Sequence, residues 1–491
     1  MVPRFSEFSR NHPFSLPTGL CAGRRLWGGL IAAFATAVPG VAAAFEPSPL
    51  PPDAPNIIVI YTDDQGYADL AAHDIRDDIR TPYIDRLAEE GVLFAQGYVS
   101  APVCGPSRGG LLSGQYQQRM GVETNAELPF ERVTTPFPER LREAGYRTGM
   151  AGKLHLPLKE RGMGEDPRDW GFEEFFMRAG DFVNKPRHRF LTHDLEGNPL
   201  PKPAWREIEG YRTDLTFKFG VDFIERNRDR PFFLYVAPLA PHTPLEATEA
   251  YLARFPNVEP PARHYALAMM AAIDDGVGEL RSTLDRLGLA DNTLVFFISD
   301  NGAPLKGKRE LPVEELKYHE WNGSLNEPLR GEKGMLSEGG IRVPFLMAWP
   351  ARVPGDQVID EPVINLDVAA TALAAAGQSR EELDGVNLLP LVTGEEYHLD
   401  RNLYWTFGGQ TAIRSGPWKL LQSDHHGPYL FDVTRPASEM RNRIDDFPEL
   451  AARLQADLDA WIEEIGFRAP PRQPLINLQK GLYQRHYGDL E

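Results

Sequence analysis

Four apolar runs, rich in β-branched and aromatic residues, each give way to a short polar word. This pattern restricts the fold more than any other feature of the chain. Asn56–Thr62 ends in Asp63-Asp64-Gln65-Gly66, and the short run before Lys153 ends in Gly152-Lys153-Leu154-His155. Pro231–Val236 leads to Pro241-His242-Thr243-Pro244, and Thr293–Ser299 ends in Asp300-Asn301-Gly302. Apolar runs without polar alternation belong to strands buried on both faces, which occur where helices cover a mostly parallel sheet. A further run, Pro344–Trp349, adds another strand. Helical patterns separate them: one opens at Thr81-Pro82 and runs to Gly91, and others cover Leu215–Arg226 and Tyr265–Leu287. The predicted fold is therefore α/β, a large mixed and mostly parallel sheet flanked by helices. Ligands of open α/β sheets sit outside the carboxyl ends of the strands, so the four polar words are expected at one edge.

Each word has a chemical reading and a plainer one. Asp63 and Asp64 leave a buried strand side by side, which is either a solvated turn or a site for a cation that relieves their repulsion. Asp300 and Asn301 would complete an all-oxygen set suited to Ca²⁺ or Mg²⁺. Lys153 and His155 are two apart, so both point to one side of an extended segment; singly they read as a surface lysine and a loop histidine. The prolines around His242 restrict its backbone. Lys333 lies in a glycine-bounded loop, where a lysine can approach an anion closely.

The N-terminus carries its own signal. Arg24-Arg25 precede LWGGLIAAFATAVPGVAAA, which reads as a secretory signal over residues 1–44, with twin-arginine export left open. Gly28, Gly29, Pro39 and Gly40 interrupt the run and argue against a spanning helix. Removing that segment, with its four arginines and one glutamate, takes the net charge from −18 to −21. It also removes Cys21 and leaves Cys104 as the single cysteine of an exported protein, so no internal disulfide can form. Such acidity argues against nucleic acid as a partner and against a long basic groove for a polyanion. An anionic substrate would have to be held by a compact local cluster.

Cys104 stands in SAPVCGPSRGGLLSGQY, at or near the start of a helical pattern, where free N–H groups favour an anion. Arg108 adds a fork of donors suited to sulfate oxygens. Cys104-Gly105-Pro106-Ser107-Arg108 fits C-x-P-S-R, four fixed letters expected by chance in roughly one chain per thousand of this length. With DDQG, GK-x-H, PH-x-P, S-DNG and RG-x-KG in the same order, the chain resembles the type I sulfatases of the alkaline phosphatase superfamily from about Ala54 to Gly394. Leu154 and Pro157 stand where that family's GKWHLG has Trp and Gly, which implies altered packing beneath the site.

The resemblance implies a sulfatase, with Cys104 converted by a formylglycine-generating enzyme into an aldehyde whose hydrate attacks sulfur. It implies Ca²⁺ held by Asp63, Asp64, Asp300 and Asn301 together with the converted Cys104. Arg108, Lys153 and Lys333 would neutralise sulfate oxygens, His242 would protonate the departing alcohol, and His155 would deprotonate the second hydroxyl. A phosphonate or phosphate ester hydrolase of the same superfamily is the alternative, as is a non-catalytic glycan-binding protein if Cys104 stays unconverted.

The charged stretch 158–212 reads as a loop-rich excursion over the rim, in which His188, Arg189, His193 and Trp205 are within reach of a substrate but each reads first as a solvated loop residue. Trp170, Trp205 and Trp321 suit a sugar, so a sulfated carbohydrate is the expected substrate. Residues 45–394 are read as the catalytic domain and 395–491 as a smaller domain. There NLYWTF, TAIRSGPWKLLQ and YLFDVT form antiparallel strands before a helix over 448–465. The resemblance makes that sheet four-stranded, and the proline-rich stretch after Phe467 is expected to be an extended arm.

Overall fold

The computed structural model describes residues 47–159, 165–178, 188–305, 321–435, 438–468 and 473–490, so the N-terminal signal segment lies outside the described residues. No helix among the described residues is long and apolar enough to cross a membrane.

In chain order the strands are β1 (Asn56–Thr62), β2 (Gly91–Phe94), β3 (Gly97–Tyr98), β4 (Arg147–Gly152), β5 (Glu174–Arg178), β6 (His188–His193), β7 (Pro199–Glu207) and β8 (Phe232–Ala237). They continue with β9 (Thr293–Ser299), β10 (Phe345–Ala348), β11 (Gln357–Ile359), β12 (Val363–Ile364), β13 (Asn402–Phe407), β14 (Gln410–Ser415), β15 (Trp418–Ser423) and β16 (Tyr429–Asp432). Among the described residues ten of them form one sheet, ordered β11-β2-β10-β9-β1-β8-β4-β5-β6-β7. The run from β9 through β1, β8 and β4 to β5 is parallel throughout, while β10 is antiparallel to both its neighbours.

Period-two alternation divides β1 between two cores. Ile57, Val59 and Tyr61 join the cluster that contains Leu111, Leu141 and Leu373, from the helices Cys104–Ser113, Phe137–Glu143 and Leu366–Ala375. Ile58 and Ile60 face the cluster built on the helices Arg212–Asn227 and Pro261–Leu287. Both faces are therefore covered, which is why the sequence of β1 shows no polar alternation.

The excursion departs from its loop reading. Its described residues supply β5, β6 and β7, which extend the main sheet. Phe175, Phe176, Met177 and Leu191 are buried there. Strand β7, PLPKPAWRE, is the edge, and its prolines fall at alternate positions, where missing N–H groups can face solvent without loss of a ladder bond. Those prolines hid the strand from the sequence reading.

The strands β13 to β16 form an antiparallel four-stranded sheet. Leu403, Trp405 and Phe431 from this sheet, with Leu454 and Leu458 from the helix Pro448–Ile465, belong to the same hydrophobic cluster as Tyr61. The extended arm is replaced over Gln473–Tyr487 by a helix, with Gln479, Leu482, Tyr483 and Tyr487 buried at helical spacing. Pro474 falls at the second position of that helix, where a backbone N–H is not required.

A fully buried Lys419 ties β15 to the short helix Glu338–Ile341 and to the turn at Glu439: its Nζ lies 2.9 Å from Glu338 Oε1 and 3.0 Å from Glu439 Oε1. Burial raises the cost of the Glu338 charge, yet Lys419, Arg342 and Arg414 hold its carboxyl down to about 2. Removing the lysine would take from the buried Glu439 the cation that pairs it and leave Glu338 to Arg342 and Arg414. Lys419→Ala should lose about 3–5 kcal/mol of stability, read from denaturant unfolding against wild type. A loss below about 1 kcal/mol would show that the network is dispensable.

Candidate active site

The parallel order of β9, β1, β8 and β4 brings their carboxyl ends to one edge, and the polar words meet there. Asp63 and Asp64 follow β1, Asp300 and Asn301 follow β9, Lys153 and His155 follow β4, and His242 lies in the loop after β8. Asp64 and His155 hold left-handed backbones, φ 63° and 61°. Asp and Asn are among the side chains that tolerate this region best, which suits Asp64 to its turn. Asn322 braces the turn from outside, donating from Nδ2 to the carbonyls of Asp64 and Pro241.

Cys104 is the first residue of the helix Cys104–Ser113, which is buried along its whole length. At the following Gly105 a Cβ would come 2.7 Å from Asn125 Oδ1, so a larger residue there would displace the Asn125 side chain that accepts from the Gly105 N–H. Ser107 contributes structure: its Oγ lies 2.7 Å from the Tyr61 hydroxyl, and Asn365 Nδ2 donates to both of these oxygens and to the Ser107 carbonyl. These bonds fix the helix against β1 and hence Cys104 against Asp63.

The Cys104 Sγ donates to Asp63 Oδ1 at 3.5 Å and lies 3.3 Å from Lys333 Nζ. Lys333 Nζ also donates to Asp64 Oδ1, and Lys153 Nζ donates to Asp63 Oδ2, each at 2.6 Å. His242 Nε2 stands 3.6 Å from Asp64 Oδ2, while its Nδ1 bonds the Thr243 carbonyl at 2.5 Å. Arg108 is fully buried. Its Nε and Nη2 donate to Asp300 Oδ2 at 3.0 and 2.7 Å, and its Nη1 donates to the Lys153 carbonyl and the Tyr235 hydroxyl.

Electrostatics follow from this packing. Burial alone would raise the Asp63 carboxyl, but Lys153, His242, Arg108 and Lys333 hold it well below the usual range. Burial and the adjacent Asp63 push Asp300 up to about 7. Burial pushes the Cys104 thiol up to about 12 although Lys153 and Lys333 pull the other way, so the encoded thiol is a poor nucleophile at neutral pH. Burial, with Lys153 and Arg108, lowers His155 to about 3, and its buried Nδ1 has no hydrogen-bond partner.

Three carboxylates face three basic side chains here. One ligand atom each from Asp63, Asp64, Cys104 and His242 lies within 4.8 Å of the others, a grouping that could hold a metal ion. Asn301 Oδ1 is buried and accepts no hydrogen bond, while its Nδ2 donates to Asp64 Oδ1 at 2.6 Å. Turning that amide over would set two oxygens against each other, an arrangement that a shared cation stabilises. The donors are thus compatible with a hard cation. Asp300 differs from the all-oxygen expectation, since its Oδ2 is turned to Arg108 and its Oδ1 accepts from the Asp64 N–H at 3.1 Å.

The rim residues separate. Trp170 and Trp321 are buried, with their Nε1–H groups donating to the Leu156 and Ser324 carbonyls, so neither presents a face to a sugar. Arg189 is buried against the Phe176 ring. His193 lies 3.6 Å from Glu174, and Trp205 remains 48% exposed on β7, packed on Phe190. The side chain of His188 lies outside the described set. Asn322, Asn365 and Tyr235 escaped the sequence reading because a lone amide or tyrosine carries no motif.

Comparison with known proteins agrees with this geometry. The family model Sulfatase matches residues 55–378, and a second, N-sulphoglucosamine sulphohydrolase, C-terminal, matches residues 331–465. Human N-acetylgalactosamine-6-sulfatase is 32% identical over 422 residues, covering 81% of this chain and 75% of that protein. N-acetylgalactosamine-6-O-sulfatase of Bacteroides thetaiotaomicron is 28% identical over 83% of this chain and 93% of its own. The solved structure of Ps i-CgsB superposes with a TM-score of 0.72 at 31% identity, covering 88% of this chain and 97% of that one. A phosphonate monoester hydrolase of Agrobacterium radiobacter, 18% identical with a TM-score of 0.61, shares the fold. By these matches the chain belongs to the type I sulfatase family of the alkaline phosphatase superfamily and is a sulfuric ester hydrolase.

Proposed function

We propose that the protein is an exported enzyme that removes sulfate from a sulfated carbohydrate, using formylglycine made from Cys104 beside a bound Ca²⁺. The observation that carries this reading is the position of Cys104 at a buried helix N-terminus, between Asp63 and Lys333. The sugar is argued from relatives. Two of them are sulfatases of N-acetylgalactosamine, and Ps i-CgsB has been solved in complex with k-i-k-neocarrahexaose.

Asp63, Asp64 and Asn301 would hold the cation, with Asp300 beside them. When bound, the pair of groups supplies a hydrated aldehyde as nucleophile and positive charge on the sulfate oxygens. The protein's own residues do the rest. Lys153 and Lys333 are held protonated by the carboxylates they touch, and they face the same pocket as residue 104. There they would neutralise the oxygens on which charge develops. Arg108, occupied by Asp300, stabilises the carboxylates from beneath. His242 sets its Nε2 3.6 Å from Asp64 Oδ2 and, when protonated there, is the group placed to protonate the leaving alcohol. Burial and the neighbouring cations hold His155 neutral with its Nδ1 unpartnered, so it would take a proton only once a bound sulfate offsets those cations.

Two lysines, Lys153 and Lys333, set beside residue 104 in a strongly acidic protein bind one sulfate group better than a long polyanion. Exposed charges are screened over about 8 Å at physiological salt, and contacts inside the recess much less. Sulfate release from a short sulfated oligosaccharide should therefore respond weakly to ionic strength, while kcat/KM on a long polymer should rise as salt is raised moderately. Faster polymer turnover at low salt would reveal a basic groove. Turnover of an aryl phosphonate exceeding that of the aryl sulfate would overturn the substrate class.

A further inference from the structure

The loop that carries Lys333 is fastened from two sides: the Lys333 N–H donates to the Ala303 carbonyl at 3.1 Å and the Gly334 N–H to the Pro102 carbonyl at 2.9 Å, and the other anchors come from the C-terminal part of the chain. Arg330 donates to the Glu439 carbonyl at 2.8 Å, and its guanidinium lies 4.9 Å from the centre of the Tyr487 ring. Glu332 Oε1 accepts from His486 Nε2 at 3.0 Å and Arg485 Nη1 at 2.9 Å, and its Oε2 accepts from the Leu305 N–H. The Gly334 carbonyl and the Leu336 N–H both bond the side-chain amide of Gln410 on β14, which Tyr483 holds in turn through a 2.6 Å bond. Lys333 lies between these anchors, and its Nζ reaches Asp64 and Cys104.

Gly331 and Gly334 flank the lysine with φ of 89° and 86°, so the loop is a tight turn outside the helices and strands, held by a few backbone bonds and by its side-chain anchors. Lysine has four rotatable side-chain bonds, and a small shift of its backbone moves Nζ out of reach of the reacting groups. The geometry therefore depends on what grips the neighbouring residues. Glu332 is 1% exposed and His486 16%, whereas Arg485 is 44% exposed. A half-exposed ion pair contributes little, so the His486 bond to a buried carboxylate is the stronger grip. The helix that supplies it lies beyond both matched family segments, which end at residues 378 and 465.

We infer that the C-terminal helix Gln473–Tyr487 positions Lys333 for the reaction, with His486 acting through Glu332. His486 is a positioning residue, since it touches the loop and not the reacting atoms. The inference rests on the role given above to Lys333 and extends it to a part of the chain outside the strand-end motifs.

The test uses the full-length, aldehyde-bearing enzyme and a small aryl sulfate. His486→Ala should lower kcat by roughly tenfold with little change in KM, on the scale at which slight misplacement of a catalytic group is felt. Aldehyde content and metal content should match wild type. His486→Gln, which restores an N–H donor, should recover most of the loss, and Lys480→Ala on the exposed side of the same helix should behave as wild type. In a Lys333→Ala background, His486→Ala should cause no further loss. An equal tenfold loss in that background, or wild-type kcat in His486→Ala, would overturn the positioning role alone. Full turnover by Lys333→Ala itself would overturn the role of the lysine, and the inference with it.

Discussion

Cys104→Ser, produced alongside a formylglycine-generating enzyme, should lose turnover of an aryl sulfate by roughly 10⁴-fold or more, the scale seen when a covalent nucleophile is removed. The serine would fill the thiol's place at the helix N-terminus with little change of shape, so folding should be unaffected. Its single hydroxyl has no second oxygen to expel sulfate, and any sulfated serine would persist. Single-turnover kinetics distinguish the two failures: a burst followed by arrest shows attack without release, and no burst shows loss of attack. Wild-type turnover in this variant would remove residue 104 from the mechanism.

Asp64→Asn should release the cation and reduce activity by roughly 10²-fold or more, of the order expected when charge stabilisation of a transition state is lost. The substitution is chosen for its backbone. At φ 63° asparagine is tolerated as well as aspartate, and its Oδ1 can still accept from Lys333. Asp300→Ala is a poorer test, because it would leave the fully buried Arg108 without its closest partner. Metal analysis of the purified variant should find far less Ca²⁺ than in wild type. Exhaustive chelation of wild type should abolish turnover, with recovery on adding Ca²⁺. Full activity after chelation, or a tightly held zinc ion, would contradict the proposed centre.

Much of the sheet was legible because its central strands are buried on both faces. Asn56–Thr62 and Thr293–Ser299 carry no polar alternation, and the buried polar residues that follow them are the ones that meet at the site. The same logic puts Asp63, Asp64, Lys153, His242 and Asp300 on one edge from the strand pattern alone. It failed where burial is one-sided or pairing is at an edge. Strand β7 has three prolines that read as loop, and only an edge position makes them admissible. The helix Gln473–Tyr487 was hidden by the prolines before it, although Gln479, Leu482, Tyr483 and Tyr487 repeat at helical spacing. Trp170 and Trp321 looked like sugar platforms because the sequence gives an aromatic's type and not its exposure. Arg108 was expected to open its donors to an anion, and no local feature foretold that Asp300, 192 residues away, would occupy them.

The account turns on the chemical state of residue 104, and the direct measurement is the mass of the proteolytic peptide that contains it. The prediction is a peptide lighter than the encoded sequence by the difference between a thiol side chain and an aldehyde, reactive toward a hydrazine probe, in enzyme that hydrolyses sulfate esters. An unmodified thiol in fully active enzyme would contradict it.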